Sequence, residues 1–420
     1  MIKRKLFIDL VSHLSQKEIS VIIGPRQSGK TTLMEMLREH LDKKGERTLY
    51  LNLDIEWDRP HFDSQSALLR KIELELSKQQ GYVFIDEIQR KENAGLFLKG
   101  LFDLRLPYKF IVSGSGSLEL KEKIHESLVG RKRLFELSTI TFDEFINHKT
   151  DYKYKENLAG FLEVEKDKTQ QLLMEYMNFG GYPRVVLSSE QTEKVQIIDE
   201  IYRSVLEKDI AYLLKVDKTD AFSALIKILS SQIGNLISYS ELSSTLNISY
   251  QTVKKYLWYS QKIFLLDLIS PYARNVRKEI TKSPVPYFWD LGLRNYALGI
   301  FGHVGSQSEG GFIFENLVFL LLKEHVKLGT TKVNFWRTRD KAEVDFILES
   351  GRKAVPVEVK YKSLRKEEIP RSLRSFIEKY SPDEAYIINL DYKNKLKINK
   401  TTLFFLPYYE LLYKKLVPKV

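Results

Sequence analysis

No cysteine occurs in the 420 residues. That excludes disulfide staples and thiolate metal sites, suits a reducing compartment, and points any metal toward oxygen ligands of the kind Mg²⁺ or Mn²⁺ prefers. No apolar run reaches about 18 residues, so no segment reads as a membrane-spanning helix. The first ten residues are broken by Lys3, Arg4, Lys5 and Asp9, which leaves no apolar signal segment. Internal repeats and low-complexity tracts are missing too. These absences predict a soluble, cytoplasmic protein without a membrane partner.

The length predicts two or three domains. A composition of 43% hydrophobic and 29% charged residues gives each a core and excludes a wholly disordered or fibrous chain. The 66 basic and 55 acidic side chains leave a net charge of +11, which permits contact with polyanions without assigning one.

Through about residue 150, short β-rich runs at 19–23, 48–53, 82–86, 109–113 and 132–137 alternate with helix-period segments such as 33–44 and 65–79. This pattern predicts a parallel sheet with helices on both faces. From 151 to 280 the text turns helical. Residues 236–268 read as three short helices of a helix-turn-helix, within a winged-helix stretch at about 220–280. From 281 to 420 alternation returns, with a long helix at 312–328, strands at 332–338, 344–348, 354–359 and 384–390, and a helix at 373–380. The expected fold class is therefore α/β and multi-domain.

Gly24-Pro25-Arg26-Gln27-Ser28-Gly29-Lys30-Thr31, continuing into Thr32, fits GxxxxGK(S/T) between an apolar strand and a helix. Glycines let backbone N–H groups wrap phosphates, the helix N-terminus adds a favourable dipole, Lys30 reaches the β- and γ-phosphates, and Thr31 ligates Mg²⁺. The expected ligands are ATP and Mg²⁺. A metal–nucleotide site also needs a carboxylate at a neighbouring strand end, and Asp86 supplies it after an apolar run. Glu87 follows as the candidate base that polarises water. Ser113 and Ser115 close another strand and are candidates to sense phosphate or orient the water, with helix capping the competing role for Ser115 and the preferred one for Ser117. Arg131 is a candidate arginine finger, in this chain's site or across a subunit boundary in a homo-oligomer; a plain surface arginine is the alternative.

These motifs, with Gly130-Arg131, Thr141-Phe142-Asp143-Glu144-Phe145, Gly180-Gly181-Tyr182-Pro183, Tyr287-Phe288-Trp289-Asp290-Leu291-Gly292 and Glu315-Asn316, resemble in order a family of prokaryotic AAA+-type ATPases. Its members carry a DUF4143-type domain. The resemblance implies an AAA-type core with a catalytic glutamate, here Glu87, and a winged-helix lid. Ser113 stands where members often have threonine, which leaves its sensor role open.

Asp345 and the pair Glu358 and Lys360 fall on adjacent candidate strands, where alternation puts Glu358 and Lys360 on one side. Neighbouring carboxylates repel unless a cation intervenes, so Asp345 and Glu358, with Glu315 from the preceding helix, are candidate Mg²⁺ ligands and Lys360 a candidate catalytic lysine. The arrangement is similar to the D…ExK core of restriction-endonuclease-like nucleases, which implies a nuclease-like fold with or without activity. Lys254 and Lys255, with Tyr250 and Tyr256, and then Arg274, Arg277 and Lys278, are candidate DNA contacts; a lid or protein-docking role is the alternative. The lysines at 393–400 and Lys414-Lys415 read as solubilising surface on an ordered stretch. The leading expectation is an ATPase coupled to a nucleic-acid or protein partner. A nucleotide-dependent interaction switch and an ATP-regulated DNA nuclease are the alternatives.

Overall fold

The computed structural model describes residues 2–77, 79–115, 128–210, 220–273, 283–304, 307–326, 331–338 and 340–416. Five strands, β1 (Ile19–Gly24), β2 (Thr48–Asn52), β3 (Gly81–Asp86), β4 (Tyr108–Ser115) and β5 (Lys132–Glu136), form a parallel sheet in the order β2-β3-β4-β1-β5. Side chains alternate along a strand, and here both faces are covered. Ile19, Val21 and Ile23 of β1 pack with the helices Gln65–Leu76 and Ala94–Asp103. Ile22 faces the other way, onto Leu10 of the helix Leu6–His13 and onto Leu33, Met34, Leu37 and Leu41 of the helix Lys30–Asp42. Such burial is worth roughly 1.5–3 kcal/mol per large aliphatic side chain, which is why these strands read as unbroken apolar runs.

Helices Phe142–Lys149, Lys166–Phe179 and Gln191–Ser204 follow. Residues 236–268 hold two helices rather than the expected three, Tyr239–Leu246 and Tyr250–Lys262; the third member of the triplet lies upstream at Asp220–Ser231. After Phe264, which adopts φ 61°, the chain extends into β6 (Leu266–Ile269) and pairs antiparallel with β7 (Val285–Phe288). Arg274, Arg277 and Lys278 lie outside the described residues.

The helices Leu291–Leu298 and Gln307–His325 lead to a second sheet of β8 (Lys332–Arg337), β9 (Glu343–Ser350), β10 (Lys353–Val359), β11 (Glu384–Asn389), β12 (Asn394–Ile398) and β13 (Thr401–Pro407), ordered β12-β13-β11-β10-β9-β8. β8, β9 and β10 form an antiparallel meander, and the helix Arg371–Tyr380 carries the chain from β10 to parallel β11. One sheet face packs on that helix through Leu373, Phe376 and Ile377, while the other joins the core of the central helices through Phe346, Val357 and Ile388. The lysine-rich stretch at 393–400 proves to be mainly the edge strand β12. Leu396 and Ile398 pack inward while Lys395 and Lys397 point to solvent, and outward lysines discourage pairing with another sheet edge.

Candidate nucleotide-binding site

β1 ends at Gly24, where a side chain is impossible because a Cβ would lie 2.1 Å from the Leu137 carbonyl oxygen. The loop then turns through Gln27 at φ 57° and Gly29 at φ 93°, left-handed conformations that glycine adopts without steric cost. The helix Lys30–Asp42 starts without a side-chain cap, so its first N–H groups are available to an anion. Lys30 Nζ donates to the carbonyls of Gly24 (3.1 Å) and Pro25 (2.7 Å). Ser28 Oγ is buried without a hydrogen-bond partner, as a group reserved for a phosphate oxygen would be. Thr32 is exposed in the first helical turn.

Strand order brings the remaining groups together. Because β4 lies between β1 and β3, Ser113, opposite Ile22, bonds Asp86 Oδ1 at the end of β3. Asp86 is fully buried, and three further donors reach it: Thr31 Oγ1 at 2.7 Å, the Tyr50 hydroxyl at 2.8 Å and the Glu87 N–H at 3.0 Å. Tyr50 went unnoticed in the sequence. Its one signal is position, two residues before the end of the strand beside β3. Glu87 adopts φ 56°, which turns the chain off the strand, and the Gln89 amide donates to its carboxylate. Burial raises the Glu87 carboxyl above its ordinary range, while the Gln89 hydrogen bond and the Lys30 charge oppose the shift. Thr31 and Asp86 are hard oxygen donors of the type that fits Mg²⁺.

Ser115 pairs with Gly24 at the same sheet edge; its side chain, like Ser117 as a whole, lies outside the described residues. Arg131 is not brought to this chain's own site. Its carbonyl accepts from Ile19 N at 2.9 Å and its Nε donates to Asp103 at 2.8 Å, which places it at the start of β1 rather than the end. Six residues of strand, about 20 Å at roughly 3.3 Å each, separate the two edges.

The second expected constellation assembles differently. Val357 lies opposite Phe346, so Glu358 and Asp345, next in register, share a face of the β9–β10 hairpin. Glu358 pairs with Lys360 at 2.7 Å, Asp345 accepts from Val359 N at 2.6 Å, and Tyr287 donates to Glu315. Burial, reinforced by neighbouring carboxylates, pushes Glu315 up to about 7 and Asp345 well above its usual range; burial also raises Glu358, against the pull of Lys360. Yet among the described residues no three acidic or histidine side chains are placed to hold a metal ion. Glu315, Asp345 and Glu358, the expected metal ligands, here contact a tyrosine, a backbone N–H and Lys360 respectively.

On the helix Tyr250–Lys262, Tyr250, Lys254, Lys255 and Trp258 are exposed, with Lys254 4.8 Å from the Tyr250 ring and Lys262 5.2 Å from that of Trp258. Tyr256, expected beside them, is buried against Phe222. No helix among the described residues is long and apolar enough to cross a membrane.

A parallel sheet that presents a glycine-turned loop, a helix N-terminus and a buried strand-end aspartate along one edge defines a P-loop nucleotide-binding core. Family comparison assigns residues 16–146 to an AAA domain, 170–303 to a domain of unknown function (DUF8612) and 310–410 to another (DUF4143). The AAA and DUF4143 matches, in this order along the chain, agree with the resemblance carried by the sequence motifs. It is 28% identical to an uncharacterized protein of Haemophilus influenzae over 86% of this chain and 87% of that one. An uncharacterized protein of Methanocaldococcus jannaschii is also 28% identical, over 81% and 74%. Among solved structures, the replication initiator DnaA bound to AMPPCP and single-stranded DNA aligns at a TM-score of 0.31 and 15% identity, over 62% of this chain and 90% of that chain.

Proposed function

We propose that the protein is a Mg²⁺-dependent ATPase that couples ATP hydrolysis to a partner engaged by its other regions. The buried Asp86 carries this reading, because Thr31, Tyr50 and Ser113 hold it beside the phosphate loop and next to Glu87. In the mechanism, Lys30 exchanges the Gly24 and Pro25 carbonyls for phosphate oxygens, and Thr31 and Asp86 would hold Mg²⁺. When bound, the metal neutralises charge on the phosphates. Glu87 accepts the proton of the attacking water, and burial raises its proton affinity above that of an ordinary glutamate. Ser113 acts by orienting Asp86. The test is Glu87→Gln, which is expected to retain ATP binding while losing phosphate release; wild-type turnover in that variant removes Glu87 from the mechanism.

A nucleic-acid partner is favoured by one observation, the exposed lysines and aromatics of the helix Tyr250–Lys262, which contains no acidic residue. Lysines draw phosphates and aromatic faces stack on bases. The opposing reading is a nucleotide-dependent protein switch. DNA-stimulated ATP turnover supports the first, and nucleotide-dependent protein capture with no DNA binding at low salt supports the second.

A further inference from the structure

We propose that Arg4 is a positioning residue for the phosphate loop, holding the Ser28–Gly29 peptide so that the Gly29 N–H faces a nucleotide phosphate. The inference rests on the ATP-binding reading. Arg4 lies in no nucleotide motif and precedes the first helix, yet it is only 8% exposed, a rare state for arginine that calls for partners. It has them on three sides. Nη1 donates to the Ser28 carbonyl at 2.9 Å, Nη2 to the carbonyls of Ser138 (2.8 Å) and Thr139 (3.1 Å), and Nε to Glu144 at 3.0 Å.

The peptide between Ser28 and Gly29 is trans and planar, so its C=O and N–H point in opposite directions. Tying the Ser28 oxygen to Arg4 therefore turns the Gly29 N–H away from Arg4. It also removes a carbonyl that would repel phosphate. Lys30 donates to the Gly24 and Pro25 carbonyls of the same loop only until phosphate replaces them, whereas the Arg4 contact is one that nucleotide does not displace. Pro183 and Arg4 Nη1 also flank Gly29, at ordinary contact distances of 3.8 and 3.9 Å from where a Cβ would stand.

Arg4 is itself held in place. Glu144 accepts from the Lys5 N–H at 2.7 Å and the Thr141 N–H at 3.1 Å while it binds Arg4 Nε. This carboxylate caps the helix Phe142–Lys149 and sets the plane of the guanidinium. Lysine offers a point charge without the planar fork, so it can reach one of these acceptors but not maintain the geometry of all.

The test titrates the full chain with Mg·ADP and Mg·ATP, and compares wild type with Arg4→Lys, Arg4→Met and Glu144→Gln. Melting temperature without nucleotide and saturated turnover are measured alongside. Arg4→Lys is expected to stay folded and lose roughly tenfold in affinity for both nucleotides, Arg4→Met more, and Glu144→Gln less, because a hydrogen bond to a charged group is lost or misdirected. For Arg4→Lys, KM rises while kcat stays within about twofold, since a cradle that binds ground and transition states alike changes binding only. A purely structural arginine predicts the opposite split, a lower melting temperature with unchanged affinity in folded protein, and that result overturns the proposal. Failure of the wild type to bind either nucleotide overturns the ATP-binding reading itself, a separate outcome visible in the same titration.

Discussion

Thr31 Oγ1 and Asp86 Oδ2 lie 2.7 Å apart, joining the first turn after the phosphate loop to the end of β3. Two residues far apart in the chain thereby form one oxygen cluster, and Mg²⁺ bound there would share both. Asp86→Asn keeps the shape and removes the charge. Turnover is expected to fall on the order of a hundredfold or more, measured as phosphate release across a Mg²⁺ titration. An unchanged Mg²⁺ dependence would take Asp86 out of the metal site.

The pH profile of turnover offers a second check. Burial raises the Glu87 carboxyl, and a base works only when ionised, so kcat falls as pH drops through that raised value. The acidic limb of wild type is expected above the ordinary glutamate range of about 4.3. A limb at or below that range argues that another group is titrating.

Glu315 makes a prediction about stability. Its folded-state pKa is raised to about 7 from 4.5, so the folded protein holds this proton more tightly than the unfolded chain. The resulting stabilisation is complete below pH 4.5 and is lost as pH rises through about 7. Glu315→Gln keeps an acceptor for Tyr287 and is expected to flatten this decline, with a higher melting temperature than wild type at pH 8. Parallel melting curves for the two proteins from pH 5 to 8 would contradict the burial argument.

If the helix Tyr250–Lys262 contacts nucleic-acid phosphates, Lys254→Ala and Lys255→Ala should each lower the slope of log affinity against log salt by about 1. Trp258→Ala should weaken single-strand binding with little change in that slope. Equal binding by all three variants across a salt series sinks the nucleic-acid reading of this face.

Gly181 tests the junction between the two halves of the chain. Its carbonyl accepts from Ile140 N at 2.7 Å, its own N–H donates to Asp290 at 2.8 Å, and a Cβ would lie 2.2 Å from the Ile140 oxygen. Gly181→Ala must displace backbone, so a loss of about 3 kcal/mol is expected in a denaturant titration. A variant as stable as wild type would mean that the junction yields easily.

Much of the fold was legible because the signals are local. All five strands of the first sheet were visible as short apolar runs between helix-period segments, and the phosphate loop announced itself through residues whose backbone chemistry needs them in that order. β12 is not legible as a strand because its alternate lysines read as solubilising surface on an ordered stretch, and the short apolar run of β13 pairs only with partners distant in sequence or hidden in the same way. The helix triplet was displaced for a related reason: Leu266–Ile269 is too short for its apolar residues to distinguish strand from helix until β7 pairs with it.

By itself the sequence determined the loop, the strand-end carboxylates and the parallel first sheet, since each depends on neighbours within a few residues. Arg131 was in part readable as well, because a residue that precedes a strand parallel to β1 must sit at the far edge. Only the tertiary structure decided that Asp86 is held by Thr31, Tyr50 and Ser113 and that Arg4 reaches the Ser28 carbonyl. Those relationships join residues 24 to 55 positions apart. Strand order and side-chain direction bring them together, and neither is written in any local stretch of chain.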